Sequence, residues 1–513
     1  MDRPLHTGMI TVSVMLATIM QALDTTIANV ALPHMQGSLS ATQEQASWIL
    51  TSYIVAAAIM TAPTGLLAAR MGRKRLMAIC ISGFTIASIF CGLATSLPEM
   101  VIFRLLQGVF GAGLVPLSQA IMLDITPPEK HGQAMALWGM GVMLGPILGP
   151  TLGGWLTEYY NWRWVFYINV PIGLVALFGV LSFLPETAKT NRRFDLFGFI
   201  LLSLAIGGLQ MMLDRGESKD WFSSPEIVIE CILAGLGAYL FVVHILTTNK
   251  TPFVDPAMFR DRNYLVATIF IFIIGIILLS SMALLPPFLQ NLMGYPVITT
   301  GLVLAPRGIG TLMAMMIVGR ITQKADPRLL ILFGLLTTAW SLQMMGEFTL
   351  DISTSMLVHS GLIQGFGMGF VFAPLTMLAY ATLPQHYRND AAAIFSLSRN
   401  IGSSVGISMV TVLLAQNIQV NHAELGAHLV PFGNMRLTLE AATERMGGSE
   451  ADSALAWLDG AVNIQAATIS YLNDFRLMMW IILLSAPLLL FIKKRPKAAA
   501  HQKEAEPLAS AME

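Results

Sequence analysis

Long apolar stretches alternate with short polar ones along almost the whole chain. Fourteen of them, near residues 9–33, 46–68, 76–95, 99–122, 134–156, 165–184, 195–213, 226–246, 264–286, 299–320, 328–346, 354–382, 391–414 and 471–492, approach the length of about 20 residues that a helix needs to cross a bilayer. The pattern predicts an all-α polytopic membrane protein with fourteen transmembrane helices, numbered here as spans 1–14. Basic residues between the spans test that count. With the N-terminus inside and the loops alternating, the clusters Arg70–Arg73–Lys74–Arg75, Lys189–Arg192–Arg193, Arg320–Lys324–Arg328 and the run from Lys493 all fall on the inner side. The outer side receives only Arg163, Arg215, Lys219, Arg436, Arg445 and Arg476. Excess Lys and Arg mark cytoplasmic loops, so both termini are expected in the cytoplasm. A missed or invented helix would invert the bias downstream.

Composition agrees with the pattern and narrows the function. The chain is 55% hydrophobic and 12% charged, about half the charge of a soluble chain. Its net charge of zero gives no reason to expect nucleic acid. Three cysteines inside apolar runs make neither a disulfide framework nor a zinc site, and no cofactor or metal is expected. Residues 1–8 are polar and the run after them is too long for a cleavable signal peptide. No lysine follows a glycine, so the phosphate loop of ATP-driven pumps is absent. The longest polar stretch, 415–470, is too short for a nucleotide-binding domain. It reads as an outer loop with short helices, or as a docking surface. An ion gradient, worth about 2.3 kcal/mol per charge per 100 mV, or the substrate's own gradient is then the energy source.

The chain also repeats itself. LLQGVFGAGLVPLS (105–118) in span 4 is echoed by LIQGFGMGFVFAPLT (362–376) in span 12. A weaker echo links GLLAARMGRKRL (65–76) after span 2 to GRITQKADPRLL (319–330) after span 10. Two six-helix units follow, with spans 7 and 8 inserted between them: residues 1–190, an inserted pair at 191–250, and residues 251–513 including the 415–470 loop. Parallel six-helix repeats are a transporter architecture. The copies differ at one place. Arg104 stands three residues before Gln107, whereas Gly361 stands three before Gln364.

Several residues carry candidate chemistry. Span 1 holds Asp24, about 14 Å from Pro33 along a helix and thus near mid-membrane. Thr18, Gln21, Asp24, Thr25 and Asn29 share an arc of about 140°, a polar face unsuited to lipid. Arg104 keeps its charge when buried, and Asp24 is its natural partner in the same half. A carboxylate caught between desolvation and an arginine is a site for loading and unloading a proton; a static clamp between helices is the alternative. Gln21, Thr25, Asn29, Gln107, Arg307, His359, Gln364, Arg399 and Asn400 are candidates for the substrate pathway, with structural roles as the competing reading. In span 5, Gly141, Gly145, Gly149 and Gly153 recur every four residues, with Pro146 and Pro150 among them. That groove allows close helix packing and a bend, a candidate gate. The turn with Gly65, Arg70, Gly72 and Arg73 anchors the inner face and is the other gating candidate.

These motifs together resemble the major facilitator superfamily, in its fourteen-span drug:proton antiporter branch. LDTTIANVALP is similar to the branch's span-1 motif, with Asp24 as its acid; FRLLQGVFGAG is similar to the span-4 motif, with Arg104 as its base. GLLAARMGRKRL is similar to the loop motif and GPILGPTLGG to the span-5 antiporter motif, while WRWVFYINVPIG (162–173) and LDRGESKDWFSSPEI (213–227) resemble EmrB-type exporters of Gram-negative bacteria. The resemblance implies a bacterial inner-membrane exporter of amphiphilic toxic compounds driven by protons. It also implies partners, a periplasmic adaptor of the EmrA type and an outer-membrane channel of the TolC type, with the 415–470 loop as docking candidate. One departure stands out: Ala69 replaces the aspartate usual in the loop motif, so its inter-helix charge contact must come from elsewhere. A dedicated exporter of one metabolite, such as a fatty acid, siderophore or organic acid, keeps the fold and changes the cargo. A membrane assembly or sensor subunit that transports nothing is the rival from another class.

Overall fold

The computed structural model describes residues 6–127, 130–187, 189, 194–248, 252, 254–322, 325–384, 387–427 and 451–492, apart from the side chains of 43, 44, 146, 147, 297 and 451–455. Among them are thirteen helices long and apolar enough to cross a membrane, and a fourteenth if one bent pair counts as a single span. In chain order the first six spans are built from α1 (Thr7–Ser38), α2 (Gln43–Thr61), α3 (Thr64–Met71), α4 (Arg73–Leu93), α5 (Leu97–Gly111), α6 (Leu114–Asp124), α7 (His131–Tyr159), α8 (Trp164–Tyr167) and α9 (Asn169–Phe183). The inserted pair is α10 (Leu196–Arg215) and α11 (Pro225–Thr247). The remainder is α12 (Arg262–Pro287), α13 (Val297–Ile321), α14 (Pro327–Met345), α15 (Thr354–Ala381), α16 (Arg388–Ala427) and α17 (Ala451–Ser485).

Local chemistry sets the helix ends. Thr42 and Gln45 form a reciprocal capping box at α2. Asp195, Asp261 and Asp326 accept backbone N–H bonds from Gly198, Tyr264 and Arg328 at the starts of α10, α12 and α14. Pro63 cannot donate, so the run 46–68 breaks there and α2 and α3 meet at 56°. Gly72 adopts φ +87° between α3 and α4, a conformation that disfavours any side chain.

Burial separates the central helices from the peripheral ones. The apolar window of α15 is 83% buried and that of α11 only 22%. α11 packs on α10, and its outward Ile232, Leu236, Tyr239 and Leu246 are exposed, as suits a lipid-facing helix. α10 lies against α2 on one side and α16 on the other. There Asp214 accepts a hydrogen bond from Thr51, Gln210 accepts one from Ser404 at 2.9 Å, and Arg215 covers the Trp48 ring at 4.5 Å. The inserted pair thus fastens to both repeats. Across the middle, α7 lies between α1 and α13.

The stretch 415–470 departs from the expected loop with short helices. α16 continues to Ala427 and α17 begins at Ala451, each far longer than a bilayer requires. Apolar periodicity does not stop at the membrane surface here, because the two helices pack on each other: Asn421 donates to Ser470 at 3.0 Å, and His422 Nε2 lies 2.9 Å from Asp459 Oδ1. Residues 428–450 lie outside the described residues, as do Arg192 and Arg193.

Candidate functional site

Asp24 is completely buried, and its carboxylate gathers donors from two other helices. Oδ2 accepts from Arg104 Nη1 at 2.7 Å; Oδ1 accepts from Gln107 Nε2 at 2.9 Å and Asn169 Nδ2 at 3.0 Å. Arg104 also donates to Gln107 Oε1 at 2.8 Å and, through Nε, to the Ile49 carbonyl at 3.1 Å, and its guanidinium lies 4.2 Å from the Tyr53 ring centre. Ser88 closes the network: it accepts from Gln107 and Asn169 and donates to the Phe166 carbonyl at 2.9 Å. Five helices of the first repeat therefore meet at one ion pair. A buried pair of this kind holds only while both charges persist; removing one partner costs about 3–5 kcal/mol. A proton placed on Asp24 has the same electrostatic effect as removing its charge.

The expected polar arc of α1 is divided by the packing. Asp24 and Thr18 point into the bundle. Gln21 and Thr25 are half-buried, and Asn29 is exposed. Gln21 links the two environments by donating to Tyr53 Oη at 3.2 Å, beside the ion pair. The arc thus grades from protein interior to open surface along the helix.

The glycine ladder of α7 is the seat of that helix. Gly145, Gly149 and Gly153 lie against Ala22, Thr26 and Ile27, and Gly141 lies against Met15. Thr26 donates to the Gly145 carbonyl at 3.1 Å, and a Cβ on Gly145 would collide with the Ala22 backbone. On its other side α7 meets α13, with Gly139 against Met315 and Thr151 against Gly301. One helix therefore touches both the acid-bearing α1 and the second repeat. Pro150 is half-buried in α7; the side chain of Pro146 lies outside the described residues.

At the membrane face that holds the N-terminus, the first and second repeats are joined. Arg73 forms an ion pair with Asp124 and donates to Asn389 Oδ1 at 2.9 Å; Arg388 approaches Asp124 at 3.4 Å. Gly65 sits so close to Asp390 that a Cβ would lie 2.7 Å from its backbone nitrogen, and Tyr380 donates to Gln119 at 3.3 Å. Asp124 thus supplies an ion pair in a motif where Ala69 offers none. Arg70 is exposed, so Arg73 and not Arg70 makes this contact.

The other candidates scatter. Arg307 is 9% exposed and donates to Ser281 Oγ at 2.9 Å and, weakly, to the Leu278 carbonyl at 3.4 Å. Gln364 is fully buried with neither amide atom hydrogen-bonded. Arg399 and Asn400 are half-buried on α16. His359 is exposed, with Nδ1 at 2.6 Å from the Ser355 carbonyl, about 140° around α15 from Gln364. Its helical register sets it apart from the buried Gln364. Sequence reasoning misses Ser88, Asn169, Tyr53, Asp124, Asn389 and Asp214. Asn169 and Asp214, polar groups inside or at the edge of apolar runs, carry a readable signal. Ser88 and Tyr53 are too common in membrane helices to stand out.

The model of the Major Facilitator Superfamily matches residues 14–407. The chain belongs to the major facilitator superfamily. Within it, this transporter is 36% identical over 489 residues to the multidrug export protein EmrB of Escherichia coli K12, covering 94% of each chain. It is 37% identical over 425 residues to the fatty acid resistance protein FarB of Neisseria gonorrhoeae, covering 82% of this chain and 84% of that one. Solved structures share the fold at 15% identity: the human organic anion transporter MFSD10, with a TM-score of 0.59 over 94% of this chain and 100% of that one, and the proton:xylose symporter XylE, with 0.58 over 90% and 94%. This superfamily member is therefore an EmrB-type, multi-pass membrane transporter.

Proposed function

We propose that the protein exports hydrophobic or amphiphilic toxic compounds from the cytoplasm in exchange for protons, by alternating access. The observation that carries this reading is the Asp24–Arg104 pair, buried and tied to five helices of one repeat. A proton reaching Asp24 along the Gln21–Thr25–Asn29 side neutralises the carboxylate. Arg104 then keeps Gln107 Oε1, the Ile49 carbonyl and the Tyr53 ring as partners, and α1 loses its charged anchor. Through the glycine ladder α1 bears on α7, and α7 bears on α13 in the second repeat. Movement of this seam is resisted at the N-terminal face by the Arg73–Asp124–Asn389 contacts, which must open for the inward-facing form.

The pattern of basic loops supports cytoplasmic termini in a bacterial inner membrane. The helical hairpin of α16 and α17 then projects into the periplasm. It offers an EmrA-type adaptor and, beyond it, a TolC-type channel a place to dock; shortening it while keeping the membrane spans should abolish adaptor co-purification.

The direct experiment uses purified protein in liposomes with a pH-sensitive dye. Wild type should give substrate-dependent proton flux. Asp24→Asn, which preserves the volume and much of the hydrogen bonding, should fold, bind substrate and lose gradient-driven export. Full proton-coupled export by that variant would refute the assignment. Arg307, for which no carboxylate partner is found among the described residues, favours cargo that brings its own negative charge.

A further inference from the structure

We propose that Arg307 and Gln364 form a subsite for the anionic head group of an amphiphile, with a carboxylate as its natural occupant. This rests on the transport function proposed above and specifies the chemistry of one part of its pathway.

Both residues lie ten positions from the N-terminal end of their helices, α13 and α15, which run in the same direction through the membrane. They therefore sit at the same depth, about 15 Å along each helix. The helices cross in close contact. A Cβ on Gly365 would strike the Arg307 carbonyl, and a Cβ on Gly361 would come 3.8 Å from the Arg307 Cβ. Gln364 leaves α15 between those two glycines in sequence.

The guanidinium has one good hydrogen bond, to Ser281 Oγ, and a long one to a carbonyl. Among the described residues no carboxylate pairs with it. The Gln364 amide, completely buried, has an unpartnered nitrogen and an unpartnered oxygen. A buried positive charge without an anion is costly, and so is a buried amide without partners. The first repeat solves the same problem internally. There Gln107 stands at the matching position, and Asp24 receives both it and an arginine. The second repeat has the arginine and the glutamine and lacks the acid. A ligand carboxylate supplies it: one oxygen on Arg307, the other on Gln364 Nε2.

The surroundings give the rest of the ligand. Leu357, Met368 and Leu375 are buried on the same stripe of α15, seven before, four after and eleven after Gln364. Ser360, four before, satisfies its hydroxyl on the Leu357 carbonyl, so Gln364 is the unsatisfied polar group of an otherwise apolar stripe, which fits an anionic head followed by an apolar tail.

The test is binding of radiolabelled dodecanoate to the full-length protein in nanodiscs of zwitterionic lipid, with unlabelled dodecanoate, methyl dodecanoate and chloride as competitors. Wild type should be displaced by dodecanoate at about tenfold or more lower concentration than by the ester. Arg307→Gln should weaken dodecanoate binding by a similar factor and erase the preference. Gln364→Glu places an internal acid beside the guanidinium and should compete the ligand out while keeping the melting temperature at or above that of wild type, which excludes simple collapse. Equal displacement by acid and ester, displacement by millimolar chloride, or a preference that survives both substitutions would overturn the proposal. Proton flux driven by an uncharged substrate separates the two readings. If it persists while the head-group preference is absent, this subsite is wrong and the transport function stands. If it is absent while the preference is present, the converse holds.

Discussion

Gln107 and Gln364 occupy the same place in the two copies of the repeat, and their polar surroundings differ. Gln107 bridges Asp24, Arg104 and Ser88. Neither amide atom of Gln364 has a hydrogen-bond partner among the described residues. The first repeat carries an acid on α1 and a base on α5, which neutralise each other. The second has Gly361 at the position of the base and an arginine, Arg307, on the neighbouring helix α13, with no carboxylate paired to it among the described residues. Duplication preserved the packing motif, since both helices need small residues where they cross their neighbours. It left the polar complement of each half free to diverge, one towards a closed network that a proton can disrupt, the other towards an open one that a ligand can complete.

The comparison can be broken most sharply at the ion pair. Arg104→Ala leaves Asp24 buried with amide donors only, and should lower stability by about 3–5 kcal/mol, read as loss of folded protein in detergent thermal melts. Adding Asp24→Asn should recover much of that loss, while the same Asp24→Asn alone costs less. If the double variant is as unstable as the sum of the singles, the two charges are not coupled. Next comes the glycine pair. Gly145→Val drives a side chain into the Ala22 backbone and should cost about 1–3 kcal/mol together with transport, whereas Gly361→Ala has 3.8 Å of clearance and should leave the melting temperature near that of wild type.

The glutamines give opposite signs. Gln107→Leu strips Asp24 and Arg104 of a partner and should destabilise by about 1–3 kcal/mol; Gln364→Leu removes an unsatisfied amide and should be neutral or stabilising. Equal destabilisation in thermal melts would show that Gln364 is satisfied in the protein and would erase the contrast. The smallest effect is expected at the inter-repeat joint. Asn389→Ala deletes one hydrogen bond from Arg73 and should cost about 1 kcal/mol or less, seen as a faster opening rate at the Arg73 face in cysteine-accessibility measurements rather than as lost protein.

Part of this site is legible in the amino-acid sequence alone. Asp24 and Arg104 stand out because a charge inside an apolar run is expensive and rarely retained without a partner. The glycines of α7 stand out because spacing by four marks one face of a helix. Ser88, the Ile49 carbonyl and Asn169 do not, since hydroxyls, amides and backbone groups in membrane helices satisfy themselves locally as often as across helices. Thr18 and Thr25 do so, bonding to the carbonyls of Val14 and Ala22. The exposure of His359 is not legible for a different reason: its helix is apolar nearly all round, so periodicity gives no sign of which side faces in. Ala69 marks a missing charge without indicating that Asp124 and Asn389, distant in sequence, would meet Arg73.

The amino-acid sequence by itself determined how many times the chain crosses the membrane, the internal duplication and the identity of the buried ion pair. Each apolar segment must satisfy its own backbone in lipid, which makes spans nearly independent of one another and readable one at a time. Only the tertiary structure decided which polar groups complete that pair, that the inserted helices fasten to both repeats, that α16 and α17 are much longer than a single span needs, and that Arg307 and Gln364 share a depth with no acid paired to the arginine among the described residues. Those properties depend on contacts between helices far apart in sequence, set by how side chains of different helices fit together, and no single segment encodes them.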